Sequence, residues 1–332
     1  MTTPLPEEAS ALVNECIGEE WTARPLRGDM SVRAYYRIAS PDRRSYILAY
    51  YPPELRSQLW RFLAAYEAVH PHARPPEVVG SSSAAVLQRD VGDATLFDLL
   101  HDDREEGVRR YREAIDLIVA FQQSSGGREI NPPFDAQFFT GELEMAREFY
   151  VDKLMGAAPS PRLSELLGIV AENVASHPYV LCHRDYHGEN LHLIKDKLFM
   201  LDYQDMRMGP DMYDLVSLLR DRGVARIIGD ATELELLDYY AESAKLTGDY
   251  RRRYFEALLQ RTIKILGSFA KLPVVRLRLH YLDFIPPTLE SLQRCIAELP
   301  EYGELATLIP MAFSIDAART RARRLNKGVP NG

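Results

Sequence analysis

The sequence predicts an α+β fold of two lobes, a small β-rich N-terminal unit followed by a larger, mainly helical one. Three observations carry that expectation. The chain has 332 residues, which at about 150 residues per domain makes two structural units. Val32, Ala34, Tyr36 and Ile38 alternate with Arg33, Tyr35 and Arg37, the period-two signature of a strand with one apolar and one polar-aromatic face. After Gly92 the apolar spacing becomes helical and stays so for most of the remaining chain.

Residues 1–20 read as a short amphipathic helix, with Ala9, Leu12, Val13, Cys16 and Ile17 on one face and Gly18 as its stop. Residues 21–51 read as a β-meander, punctuated by Gly28-Asp29 and by Ser40-Pro41-Asp42. The last of its strands, 46–51, ends at Pro52-Pro53. A helix over 54–69 and a short strand over 84–87 complete the small lobe, placed at 1–90. The large lobe, 91–332, is expected to hold helices over 111–122, 141–154, 163–176, 212–220, 231–246 and 252–271. A short β segment between 179 and 202 interrupts them, and the tail after Arg319 reads as loosely held.

Composition narrows the function. Hydrophobic residues are 46% and charged residues 27%, ordinary globular values that exclude disordered and fibrous classes. Forty Lys and Arg against 48 Asp and Glu leave a net charge of −8, which lacks the basic footprint of a nucleic-acid or anionic-membrane binder. No stretch of 18 apolar residues and no basic-then-apolar leader at Met1 is present, so neither a membrane span nor a signal peptide is expected. Cys16, Cys182 and Cys295 are odd in number and dispersed, which argues against disulfides or a zinc site and for the reducing cytoplasm.

The stretch 180–221 carries the chemistry. His183-Arg184-Asp185 is followed after four residues by Asn190, the spacing of a kinase catalytic loop. Apolar runs at 191–194 and 198–201 flank Lys195-Asp196-Lys197, read as a three-residue hairpin turn. That pairing sets 194 against 198, 193 against 199, 191 against 201, and therefore Asn190 against Asp202. Opposed residues of an antiparallel pair have Cβ atoms about 4.5–5.5 Å apart. An amide oxygen beside a carboxylate makes a pair of hard ligands suited to Mg²⁺, and a one-residue slip would part them. Asp185 is left near the same end of the hairpin, able to accept a proton. In the plainer alternative, Asp185 and Asp202 are turn residues and Asn190 is a cap. His183 is read as structural, and Cys182 as a small buried residue rather than a nucleophile. Asp214, near the start of a helix, either caps backbone N–H groups or anchors the catalytic loop.

These residues, with Asp202 to Asp205 and the run Gly209-Pro210 through Tyr213-Asp214-Leu215, resemble the aminoglycoside phosphotransferase superfamily, small-molecule kinases of bilobal, protein-kinase-like fold. Three stretches are similar to that superfamily's amino-sugar kinases, which phosphorylate the anomeric hydroxyl of N-acetylmuramate and N-acetylglucosamine in cell-wall recycling. Residues 28–37 match a GDxSxRxYxR pattern, HRDYH at 183–187 accompanies DYQD at 202–205, and Gln260-Arg261 precedes Lys264, Leu266-Gly267 and Phe269. The resemblance spans roughly 21–299. It implies Asp185 as the base, Asn190 and Asp202 as metal ligands on ATP phosphates, and backbone groups of Gln88 and Asp90 as adenine contacts.

One departure is informative. The strand 46–50 should carry the lysine that grips the α- and β-phosphates, yet the first lysine of the chain is Lys153. A phosphate-binding cation in the small lobe must then be arginine, whose planar fork suits phosphate bidentately. Arg33 is the first candidate and Arg37 the second, sharing a strand face with Ser31 and Tyr35. On the acceptor side the candidates are Asp205, Arg207, Arg261 and Lys264, the last two also readable as an exposed charged face. The expected partners are ATP, Mg²⁺ and a small sugar or amino sugar, with no nucleic acid, membrane or obligate protein partner. The rival readings are another small acceptor, such as an aminoglycoside or a choline-like amine, and a nucleotide-binding pseudokinase.

Overall fold

The computed structural model describes residues 4–26, 33–124, 126–221 and 223–327. Ser31 and the rest of the 28–32 motif lie outside them. The elements run α1 (Glu7–Ile17), β1 (Thr22–Leu26), β2 (Ala34–Ala39), β3 (Ser45–Tyr50), α2 (Arg56–Val69), β4 (Val78–Ser81), β5 (Ala85–Arg89), α3 (Leu96–Asp102) and α4 (Arg104–Gln122). Then follow α5 (Ala136–Ala146), α6 (Pro161–Ala175), β6 (Tyr179–Cys182), β7 (Leu191–Ile194), β8 (Lys197–Met200), β9 (Arg207–Pro210), α7 (Tyr213–Arg220), α8 (Val224–Ile228) and α9 (Asp230–Ser243). The chain closes with α10 (Tyr250–Arg276), α11 (Ile285–Glu298), α12 (Leu305–Leu308) and α13 (Ile315–Lys327). The fold is α+β, with an antiparallel sheet first and mostly helix after it.

The chain divides into two compact units. One comprises Met1–Pro132, His183–Arg207 and Ser217–Ala244; the other comprises Pro133–Cys182, Met208–Val216 and Lys245–Gly332.

In the first unit, five antiparallel strands lie in the order β1-β2-β3-β5-β4. Alternation divides the sheet into two faces. Ile38, Tyr46, Leu48, Ala85 and Leu87 point to one side, where Ala9, Leu12 and Val13 of α1 bury against them. Each large apolar side chain so covered contributes about 1.5–3 kcal/mol. Gly18, at φ 87°, ends that helix as expected. The opposite face presents Arg33, Tyr35, Ile47 and Ala49.

The β7–β8 hairpin corrects the expected register. Leu191 pairs with Met200, Leu193 with Leu198, and Ile194 with Lys197, so only Lys195 and Asp196 form the turn. Both have positive φ, 47° and 63°, the geometry of the two-residue I′ hairpin turn. Arg110 of α4 holds the tip by bonding the carbonyl (2.8 Å) and carboxylate (3.0 Å) of Asp196. Asn190 therefore lies opposite Leu201, whose N–H bonds the Asn190 carbonyl at 2.9 Å.

In the second unit α10 is the central helix. Gly267 lets it approach α5, since a Cβ there would sit 2.6 Å from the Ala146 nitrogen. The buried His177 Nε2 meets Glu256 of α10 at 2.8 Å. The tail reading is also corrected: residues 319–327 belong to α13, with Ala318 and Ala322 buried. Arg321 donates to the Lys153 carbonyl and Asn326 to those of Val274 and Val275. No helix among the described residues is long and apolar enough to cross a membrane.

Candidate active site

The open face of the five-stranded sheet forms one wall of a cavity of about 310 Å³, lying wholly within the first unit. Six of the residues singled out from sequence line it: Arg33, Arg37, Gln88, Asp90, Asn190 and Asp202. The sheet reaches the hairpin through His192, whose Nδ1 meets the Gly92 carbonyl at 2.7 Å. The Leu193 N–H bonds the Ala94 carbonyl at 2.8 Å. These contacts tie β7 to the segment that follows β5.

Asn190 and Asp202 share the cavity despite the shifted register, because neither sits within the paired strands. Asn190 closes a 3-10 turn, Gly188–Asn190, and Asp202 has φ 63°. That left-handed step interrupts strand alternation and redirects the Asp202 side chain. The Asn190 Nδ2 donates to the Asp185 carbonyl at 2.8 Å, which leaves its Oδ1 for another partner. Gln204 Nε2 donates to Asp202 Oδ1 at 2.7 Å, leaving Oδ2. One amide oxygen and one carboxylate oxygen in a common cavity fit a hard divalent cation. Gln204, two residues beyond Asp202, was not singled out from sequence; the DYQD spacing was its only signal.

Behind these residues the loop is held by His183. Fully buried, it contacts the Leu201 carbonyl through Nε2 at 2.8 Å. Burial lowers its pKa, against the raising influence of Asp185 and of the Leu201 bond, so the ring is a neutral donor. Tyr186 anchors the same loop to α4 through its hydroxyl and the Ala114 carbonyl, 2.6 Å apart. Asp185 itself is exposed and does not line the cavity. Burial pushes the Cys182 thiol well up, in keeping with a packing residue.

The two arginine candidates separate clearly. Arg37 is committed to the segment after β5: its Nε lies 2.7 Å from Asp90 Oδ2, and its Nη2 lies 2.7 Å from Asp93 Oδ1. These carboxylates, Asp93 foremost, hold its guanidinium protonated well above the ordinary range. Asp93 stands 56 residues away and gave no sequence signal. Arg33 instead lies by the rings of Tyr35 and Tyr51, 5.7 and 5.8 Å from their centroids. Its burial lowers its pKa, but Tyr35, Tyr51 and Asp202 more than offset that. Burial also pushes the Tyr35 hydroxyl up to about 12. On β3, where the lysine was expected, Ala49 faces the cavity opposite Tyr35.

Asp90 is more constrained than expected. Its N–H donates to the Ser45 carbonyl at 3.2 Å, and its carboxylate accepts from Ser45 and from the Gly92 N–H. Both its N–H and its carboxylate are therefore engaged within the protein.

The other candidates fall outside the cavity. Asp205 lies 3.9 Å from Arg61, and Arg207 begins β9. Arg261 and Lys264 belong to the second unit and are half-buried rather than an exposed face. Lys264 is neutralised by Glu142 at 2.8 Å and bonds Tyr213. The buried Nε of Arg261 has no hydrogen-bond partner among the described residues.

The sequence profile of the Phosphotransferase enzyme family matches residues 22–255. An N-acetylmuramate/N-acetylglucosamine kinase from Pseudomonas aeruginosa is 26% identical over 86% of this chain and 87% of its own. A kinase of the same name from Neisseria meningitidis serogroup B is 28% identical over 86% and 88%. Among solved structures, the ADP-bound aminoglycoside phosphotransferase APH(2'')-Ib superposes with a TM-score of 0.59 at 15% identity, over 88% of this chain and 99% of that one. That last likeness is one of fold.

Proposed function

The chain belongs to the phosphotransferase enzyme family, and from that premise we propose that it transfers the γ-phosphoryl group of ATP, with Mg²⁺, to the anomeric hydroxyl of an N-acetyl amino sugar, N-acetylmuramate or N-acetylglucosamine. The coarser statement, a small-molecule kinase acting on a hydroxyl, follows from the family and its named kinase relatives. The choice of nucleotide is supported by an ADP-bound protein of the same fold, and that of acceptor by the names of the relatives.

The observation that carries the reading is the convergence of Arg33, Asn190 and Asp202 on one cavity. Asn190 Oδ1 and Asp202 Oδ2 would hold the divalent ion, which when bound neutralises phosphate charge and orients the transferring group. Arg33, just before β2 and lining the cavity with Ala49, is assigned to the phosphate oxygens. Gln88 and the Asp90 carbonyl meet the base, steadied by the Arg37–Asp90–Asp93 clasp. Asp185 accepts the proton of the acceptor hydroxyl; an anomeric hydroxyl is more acidic than an ordinary alcohol, which lightens that task. Positioning and charge neutralisation account for most of such catalysis. Arg261 is assigned to an anionic group such as the lactyl carboxylate of muramate. Residues 1–90 are assigned to the nucleotide-covering lobe and 91–332 to the lobe of the catalytic loop and acceptor helices, in an enzyme working in the cytoplasm without an obligate protein partner.

Asp185→Asn tests the assignment. ADP release should fall about 10²–10⁴-fold, the range of a lost general base, while ATP affinity stays within about twofold. Unchanged turnover would remove Asp185 from the chemistry.

A further inference from the structure

Close to the catalytic loop is a group that the proposed mechanism does not use. His187, two residues past Asp185, turns Nε2 toward the Asn190 amide nitrogen at 3.4 Å. Its other nitrogen, Nδ1, is buried and without a hydrogen-bond partner among the described residues. Asp221, just beyond α7, has a buried Oδ2 in the same condition. These two atoms face each other at 3.8 Å, and about 1 Å of side-chain adjustment would make them a hydrogen-bonded pair. Glu189 stands equally far from Nδ1 but is about two-fifths exposed, whereas the Asp221 side chain is 11% exposed.

Hydrogen-bond chemistry fixes the order of this chain. The Asn190 atom 2.8 Å from the Asp185 carbonyl must be the nitrogen, because a carbonyl only accepts. That nitrogen then donates to His187 Nε2, which accepts only if the imidazole proton sits on Nδ1. A proton on Nδ1 lies within reach of Asp221 Oδ2, 3.8 Å from that nitrogen. The end of the chain is itself anchored: Arg220 grips the fully buried Glu233 of α9 with two bonds of 2.7 Å.

We propose that Asp221 and His187 are positioning residues, a relay in which the Asp221 carboxylate sets the His187 tautomer and His187 holds the Asn190 amide with its oxygen turned to the nucleotide-bound metal. The relay rests on the reading of Asn190 as a metal ligand. Neither residue touches substrate; each acts through Asn190. His187, Glu189 and Asp221 also bring ligand atoms within 4.8 Å of one another, but the inward pairing of His187 with Asp221 leaves Glu189 at the surface.

The test compares affinities for MgATP and for ATP in excess chelator, using the full chain. Asp221→Asn and His187→Gln should weaken MgATP binding by about tenfold or more, as loss of groups that orient a metal ligand does. Metal-free ATP binding should be unchanged. In an Asn190→Ala background, neither substitution should weaken MgATP binding further, since the group they position is gone. Wild-type MgATP affinity in both variants, alongside a weakened Asn190→Ala, would overturn the relay alone. Full additivity in the double variants would overturn it too. An Asn190→Ala protein that binds MgATP normally would overturn the metal reading and the relay with it. If one of the two variants fails to fold, the other completes its own cycle with Asn190→Ala.

Discussion

Arg33 is the residue on which the proposed phosphate site depends most. In the proposed site an arginine stands in for the lysine: Arg33, just before β2, lines the same cavity as Ala49 of β3. Arg33→Ala should raise the KM for ATP about tenfold and leave the KM for the sugar within about twofold, since a charge-assisted contact contributes about 1.5–3 kcal/mol. Initial-rate kinetics with each substrate varied in turn checks this. Equal effects on both constants would contradict a phosphate contact. Arg37→Ala should instead lower stability, by releasing Asp90 and Asp93 from their shared cation.

Local chemistry made much of this readable from sequence. The period-two run around Tyr35 gave the cavity-facing side of β2, and the HRD-to-Asn spacing gave Asn190. What escaped were pairings made across long separations. Arg37 finds Asp93 only once β2 and β5 share a sheet, and no spacing rule records that. Asp90 lost its N–H to Ser45 for the same reason.

At the scale of elements, the hairpin carries the clearest lesson. A Lys-Asp pair is an uncommon choice where two positive φ values are needed, so Lys197 was counted into the turn and the register moved by one. Asn190 and Asp202 nevertheless line one cavity, because Asn190 lies in a 3-10 turn and Asp202 in a left-handed step, both outside the ladder. β4 was missed because Val-Val-Gly-Ser is too short to show a period. The arginine-rich α13 was misread because its few buried alanines are outnumbered by charge. A second element-scale feature is the tight approach of the catalytic loop to α3. A Cβ on Gly188 would stand 2.9 Å from the Phe97 backbone nitrogen, and backbone does not yield as a flexible side chain does. Gly188→Ala should destabilise the protein by about 1–3 kcal/mol and reduce turnover by displacing Asn190. Denaturant unfolding with parallel kinetics measures both; wild-type values in both would show that the loop is not wedged there.

For the whole molecule, pH is a simple lever. His183 is neutral and buried in the folded state, with a pKa below its ordinary 6.5. Unfolding releases a ring that takes up a proton more readily. As pH falls below about 6.5 the unfolded state therefore binds more protons, and stability declines until the folded pKa is reached. The urea midpoint should drop between pH 7 and pH 5.5, and His183→Asn should flatten that part of the profile. An identical slope in the variant would assign the decline to other groups.

The central claim concerns catalysis on an amino sugar, and one experiment reaches it directly. ADP release is measured with ATP and Mg²⁺ against N-acetylmuramate, N-acetylglucosamine, glucose, galactose, choline and kanamycin, with the Asp185→Asn protein in parallel. Turnover on an N-acetyl amino sugar, lost in that variant, is the expected result. Turnover confined to choline or kanamycin, or silence on every acceptor from a protein that still binds ATP, would contradict it.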